Sequence, residues 1–204
     1  MKAVLASHNK KKIVEMERLL KLRLPDITLV SPEDVGIEGE AVESGMTFEE
    51  NALLKAEYCA IPGYYSFADD SGLEVDALGG EPGVYSARYS GEHGDDKANN
   101  RLVLEKLVGV PEEKRTARFV AAIACVFPSG ESFTVRGTVE GRILDSEIGE
   151  NGFGYDPLFY SFEAGCSFGV YPPEKKNMIS HRGRALRLLC DELVKRLGDK
   201  NADK

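Results

Sequence analysis

The amino-acid sequence predicts an α/β fold, and three observations carry the prediction. The chain opens on an apolar run, a helix-period pattern and a second apolar run, the strand–helix–strand start of an α/β domain. In the middle, a long strand pattern turns at Pro128-Ser129-Gly130 and returns as a hairpin. Near the end, Leu186, Leu189, Cys190, Leu193, Val194 and Leu197 form one apolar stripe at helical spacing.

Taken in order, residues 2–6 read as a buried strand that runs directly into a helix over 9–22, where Ile13, Met16, Leu19 and Leu20 share a face. Pro25-Asp26 turns the chain into a strand over 27–30, closed by Pro32. Residues 32–45 are acidic and glycine-punctuated, a surface loop. Thr47 then opens a helix to about residue 60, with Glu50 placed to complete a capping box. A short strand over 65–68 leads into Asp69-Asp70-Ser71-Gly72 at the strand's end. A Gly/Pro-rich stretch follows, then a helix over 95–107 and the hairpin, whose return strand carries Phe133, Val135 and Val139. Residues 149–157 form a glycine-rich loop before the apolar segment 158–162. Ser180 caps the last helix, and 198–204 is a polar, flexible tail. No internal repeat or low-complexity segment interrupts this order.

Composition narrows the function classes. A chain of 204 residues suits one domain, or one large two-lobed domain over 1–197, with a substantial core. No apolar run approaches the roughly 20 residues needed to span a bilayer. The start, Met1 to Ala6 followed by polar His8-Asn9-Lys10, is too short for a secretory signal, so the expected location is the cytoplasm, with no membrane partner. Cys59, Cys125, Cys166 and Cys190 are scattered without metal-ligand spacing and read as reduced, space-filling thiols. A formal charge of −8 argues against broad nucleic-acid binding, which needs many cations on phosphates. A small anion needs only a local basic pocket.

Four clusters have the chemistry for a site. Ser7-His8-Asn9-Lys10-Lys11-Lys12 places hydroxyl, amide and three lysines at a helix start, where backbone N–H groups attract anions; the plain alternative is a solvated cap. Asp69 and Asp70 supply hard oxygen ligands for Mg²⁺, or a base for water, where an Asx-rich turn is the plain alternative. The loop around Gly152-Phe153-Gly154-Tyr155-Asp156 lets backbone approach a ligand while a ring stacks on something flat. Lys175-Lys176 and His181-Arg182 bring cations beside another helix start. Two cationic helix starts, one acid pair and one glycine–aromatic loop together suit a single Mg-nucleotide better than four unrelated accidents.

In this order and spacing the clusters closely resemble the inosine triphosphate pyrophosphatase family, whose members are also described as dITP/XTP pyrophosphatases. The resemblance covers residues 4–197 and rests on Leu5-Ala6-Ser7-His8-Asn9-Lys10-Lys11-Lys12, Thr47-Phe48-Glu49-Glu50-Asn51-Ala52, Ala68-Asp69-Asp70-Ser71-Gly72-Leu73, Gly83-Val84-Tyr85-Ser86-Ala87-Arg88, Gly152-Phe153-Gly154-Tyr155-Asp156-Pro157 and Ile179-Ser180-His181-Arg182-Gly183. It implies an elongated mixed sheet flanked by helices, two lobes with a central active-site cleft, and a homodimer. It also implies Mg²⁺-dependent hydrolysis of ITP, dITP and XTP to monophosphate and pyrophosphate, which cleanses the nucleotide pool. By position, Ser7, Asn9 and Lys12 match the family's (S/T)-x-N-x-x-K triphosphate motif, with His8, Lys10 and Lys11 inside it. Asp70 matches the catalytic acidic residue, taken as general base and metal-associated group, with Asp69 beside it, Glu43 a magnesium carboxylate, and Ser71 a substrate contact. Phe153, Gly154, Tyr155 and Asp156 match the base-binding loop, and Lys176, His181 and Arg182 the C-terminal nucleotide contacts.

The chain departs from the family pattern at Asn151, where glycine is frequent, and at Val170, where glutamate is common. Two other readings compete. A Maf-type nucleotide pyrophosphatase would carry a Ser-Pro-Arg core where this chain has Ser7-His8-Asn9. A non-catalytic nucleotide-binding module would lack the acids, yet Glu43, Asp69 and Asp70 are present.

Overall fold

The structure, a computed structural model, describes residues 1–7 and 10–202, apart from the side chains of Lys10, Lys11, Lys12, Glu15 and residues 199–202. Seven strands form one mixed sheet flanked by helices, in the order β2-β1-β3-β4-β5-β6-β7. Contacts divide the chain into two compact units, with three boundaries inside the long strands β3 (Tyr65–Val75), β4 (Thr116–Val126) and β5 (Ser132–Ile143) and the fourth inside the last helix.

The first unit comprises residues 1–70, 122–136 and 185 onward. Its centre is β1 (Lys2–Leu5), which pairs in parallel with β2 (Thr28–Val30) on one side and β3 on the other. Ala3, Val4 and Leu5 are fully buried, as expected of a parallel strand covered on both faces. Helix α1 (Lys10–Lys21) buries Ile13, Met16 and Leu20. From its side, Glu17 reaches β2, where its carboxylate accepts the Leu29 N–H at 3.2 Å. Helix α2 (Phe48–Tyr58) starts on the capping box read from Thr47 and Glu50, with both reciprocal hydrogen bonds formed. The last helix, α5 (His181–Ala202), buries Leu186, Leu189, Cys190 and Leu193 in this unit.

The second unit, residues 71–121 and 137–184, has its own core. Leu73 and Val75 of β3, Val103 of α3 (Asp96–Lys106), Phe119 of β4 and Ile143 of β5 pack with Phe159 and Phe168. The rings do much of this: Phe119 and Phe159 lie 4.6 Å apart, Phe159 and Phe168 5.3 Å, in the tilted geometries aromatic pairs favour. Strands β6 (Phe159–Ser161) and β7 (Cys166–Ser167) extend the sheet antiparallel, and α4 (Pro173–Ile179) precedes α5.

Four elements depart from the sequence reading. The strand read over 65–68 continues to Val75, so Asp69-Asp70-Ser71-Gly72 is strand rather than turn. The register with β1 ends at Phe67, so beyond it β3 runs on beside β4, and that sheet pairing overrides the local turn preference of Asp and Gly. Helix α5 continues through Gly198 to Ala202, where a tail was expected; one glycine costs about 1 kcal/mol against alanine and does not end a helix by itself. Short β7 and α4 carry too few residues to show a period. All four cysteines are free thiols, and among the described residues no helix is long and apolar enough to cross a membrane.

Candidate functional site

In the first unit, α2 assembles a charged cluster. Asn51 and Lys55 stand one helical turn apart and so share a face. Lys55 Nζ lies 2.8 Å from Asp70 Oδ1 and 3.0 Å from Glu43 Oε1, bridging a strand carboxylate and a loop carboxylate. Asn51, 1% exposed, accepts the Gly45 N–H at 2.8 Å and donates to Asp70 Oδ2 at 3.5 Å. One buried amide thus ties the loop carrying Glu43 to Asp70. Beside this cluster is a cavity of about 320 Å³, lined by Ser7, Glu43, Lys55, Cys59 and Asp69 among others.

The electrostatics follow from burial. Burial pushes the Asp70 carboxyl above its ordinary value and Glu43 pushes the same way, against the pull of Lys55 and Asn51. Burial disfavours the Lys55 ammonium, but Asp70 and Glu43 outweigh it and hold the amine charged to higher pH than usual. Two carboxylates against one ammonium leave a net negative charge, which suits a cation. Among the described residues no three or more His, Cys, Asp or Glu side chains are grouped to cage a metal. The pair Glu43 and Asp70, drawn onto one point by Lys55, fits an ion such as Mg²⁺ that takes one or two carboxylates and completes its shell with phosphate and water.

The strand geometry separates the acid pair. Consecutive strand residues project to opposite faces, so Asp69 and Asp70 do not act as one chelating pair. Asp69, 8% exposed, lines the cavity. Ser7 lines it too, just past the end of β1. His8 and Asn9 lie outside the described residues; Lys10, Lys11 and Lys12 form the first turn of α1, their side chains outside the description.

The second unit holds the aromatic–cation cluster. Phe153 is 61% exposed, with the Lys176 ammonium 5.5 Å and the Arg182 guanidinium 5.1 Å from its ring centroid. Asp156, 2% exposed, accepts the Phe153 N–H at 2.9 Å and the Lys176 ammonium at 2.5 Å. Gly152, at φ +79°, makes room for it: a Cβ there would lie 2.0 Å from Asp156 Oδ2. Arg182 donates to Ser71 Oγ at 3.1 Å, while its buried Nε has no acceptor among the described residues.

Other predicted residues turn inward. Tyr155 is 5% exposed and donates to the Ser86 carbonyl at 2.8 Å; burial pushes its phenol well up. His181 is buried, its ring stacked on Phe119 at 5.0 Å, a packed histidine at the start of α5. Lys176 sits inside α4 rather than at the start of the last helix. Ser180 does cap that helix, accepting the Gly183 N–H at 3.1 Å. Sequence reasoning missed Lys55 altogether. The usable signal is its spacing of four from Asn51, although nothing local says which carboxylate the pair meets.

A mixed α/β sheet, a carboxylate–lysine cluster in one unit and an exposed ring held by cations in the other define the class of protein. The chain belongs to the Ham1 family, whose model matches residues 3–192. It is 53% identical over 191 residues to the dITP/XTP pyrophosphatase of Geobacter sulfurreducens, covering 93% of this chain and 95% of the relative. To the dITP/XTP pyrophosphatase of Leuconostoc mesenteroides it is 50% identical over 195 residues, 95% of this chain and 96% of the relative. The solved structure of the Staphylococcus aureus Ham1 protein matches with a TM-score of 0.88 at 42% identity, over 96% of this chain and 100% of that one.

Proposed function

We propose that the protein hydrolyses non-standard purine nucleoside triphosphates, namely ITP, dITP and XTP, to the monophosphate and pyrophosphate, and so cleanses the nucleotide pool of the cytoplasm. The names of its close relatives support the reaction class. The observation that carries the substrate class is Phe153: an exposed ring flanked by two cations. A flat base stacks on the ring, and a 6-oxo purine offers an acceptor to Arg182 or Lys176. Adenine presents a 6-amino donor and leaves the guanidinium unpaired, a mismatch that supports large discrimination. GTP shares the 6-oxo group, so its rejection rests on contacts at purine C2.

The reaction is attack of water on the α-phosphorus. Asp70 accepts the water's proton as the new P–O bond forms, and the bond to the bridging oxygen breaks to release pyrophosphate. Lys55 holds Asp70 in place and offers its charge to phosphate oxygens. Ser7, Asn9 and Lys12 bind the triphosphate, with Lys12 as a point charge. Glu43 and Asp70 are the residues that would hold Mg²⁺, which when bound supplies charge neutralisation at the phosphate oxygens. Ser71, Lys176 and Arg182 serve the nucleoside side, and the working form is a homodimer.

Initial rates on dITP, XTP, dGTP, dATP and dTTP, with and without Mg²⁺ and with the phosphate product identified, test this directly. dITP and XTP lead, Mg²⁺ is required, and pyrophosphate is the first product. Equal rates on dATP and dITP would sink the base assignment; orthophosphate as first product would sink the mechanism. Asp70→Asn loses about 10²-fold or more in kcat while nucleotide binding stays measurable.

A further inference from the structure

Of the polar side chains of helix α3 that bond outside the helix, two reach the same glycine. Asp96 and Asn100 are four residues apart and share a face. Gly154 lies against that face. Its N–H donates to Asp96 Oδ2 at 2.7 Å, and its carbonyl accepts from Asn100 Nδ2 at 3.2 Å. The same Asn100 nitrogen donates to Glu147 Oε1 at 2.7 Å. Asn100 is 4% exposed, so a buried amide spends its N–H donors on two flanks of the loop before β6. Asparagine is a mediocre helix former, and a buried amide is costly unless bonded, so the helix gains little from it. The loop gains its anchor.

The anchor acts on one residue in particular. The peptide unit preceding the Phe153 Cα is held by Asp156 through the Phe153 N–H, at 2.9 Å. The unit following it is held by Asp96 through the Gly154 N–H. With both neighbouring peptide planes tethered, φ and ψ of Phe153 are set, and the exposed ring keeps only its own side-chain torsions. Gly154 turns at φ +60°, a left-handed conformation that glycine adopts without strain.

We propose that Asp96 and Asn100 are positioning residues that pre-set the Phe153 ring for the purine base. The proposal rests on the reading of Phe153 as the base platform. A ring fixed before the ligand arrives lowers the ordering cost of binding, so loosening it acts on KM more than on kcat.

The sequence contains no tryptophan, so Phe153→Trp places a single indole reporter at the platform. Asp96→Ala, Asp96→Asn and Asn100→Asp are made both in that background and in the parent. Asp96→Asn keeps an acceptor oxygen for the Gly154 N–H. Asn100→Asp removes the donor and sets a carboxylate against the Gly154 carbonyl and Glu147. Asp96→Ala and Asn100→Asp raise KM for dITP about tenfold with kcat changed less than about threefold, and Asp96→Asn restores parental values. In parallel, the indole's anisotropy decay gains a fast component in the first two variants and not in the third. Folded Asp96→Ala protein with KM within about twofold of the parent and an unchanged indole overturns the proposal. A fall in kcat with KM unchanged overturns it too. Should Asn100→Asp fail to fold, the two Asp96 variants decide. If the parent does not hydrolyse dITP, the functional reading falls, while the indole decay still decides whether α3 holds the ring.

Discussion

Lys55 shows how one side chain sets the chemistry of its neighbours. It stands between Asp70 and Glu43 and is mostly buried, so its removal leaves two carboxylates facing each other with little water. Lys55→Met costs about 2–3 kcal/mol of stability, below the roughly 3–5 of a fully buried pair because Glu43 keeps more solvent; urea unfolding measures it. The pH behaviour has a definite sign. Asp70 has a raised folded value, so its favourable contribution to stability is complete below the ordinary aspartate range and is lost as pH rises through the folded value. Activity runs the other way, because the base must be ionised. Lys55→Met therefore moves the acid limb of kcat/KM to higher pH, because the ammonium that favours the ionised Asp70 carboxylate is gone. A limb that stays put or falls in the variant would remove Asp70 from the role of base. Asp70 was legible in the sequence as an acid in a recognisable string. Lys55 was not, because its partners are 12 and 15 residues away, on a loop and a strand whose meeting is a tertiary fact.

At the scale of elements, α2 and the Phe153 loop are aimed by local devices. The Thr47–Glu50 box fixes where α2 begins, and hence the face that Asn51 and Lys55 present. Thr47→Ala costs about 1 kcal/mol by thermal or denaturant unfolding, the usual loss of an N-cap. In the loop, Gly152→Ala drives a methyl into the Asp156 carboxylate and breaks its bonds to Phe153 and Lys176. The expected result is a rise in KM for dITP of about tenfold or more, read from initial rates; an unchanged KM would mean that the loop tolerates a different Asp156. The capping box was legible because its signal is contained in four residues. The full extent of β3 was not, since Asp-Asp-Ser-Gly is turn-like by composition and becomes strand only beside β4, past the end of the register with β1. The inward turn of Tyr155 and His181 was equally hidden, because each is fixed by a residue distant in sequence, Ser86 and Phe119.

For the whole molecule, the α/β class, the hairpin and the order of the longer elements were visible in hydrophobic period and turn chemistry. Period does not reveal that the chain forms two units, each with its own core. Against a net charge of −8, Lys176 and Arg182 gather positive charge locally at the Phe153 ring in the second unit. The proposed homodimer predicts a solution mass twice the 22.4 kDa of the chain, measurable by light scattering; a monomer with full activity would separate catalysis from assembly.

The carboxylate of Glu17 has a consequence for how copies of this chain can meet. Strand β2 ends the sheet on one side and is three residues long; β7 ends it on the other with two. An unpaired strand margin is a template for cross-β growth, and short margins blocked by charge deny it. Here the Leu29 amide is already occupied by the Glu17 carboxylate, itself paired with Lys21, so an incoming strand finds that donor taken. The β2 margin is therefore closed to strand addition at Leu29. Replacing Glu17 with leucine unmasks that amide, and the cost is expected to appear as turbidity on heating rather than as lost turnover.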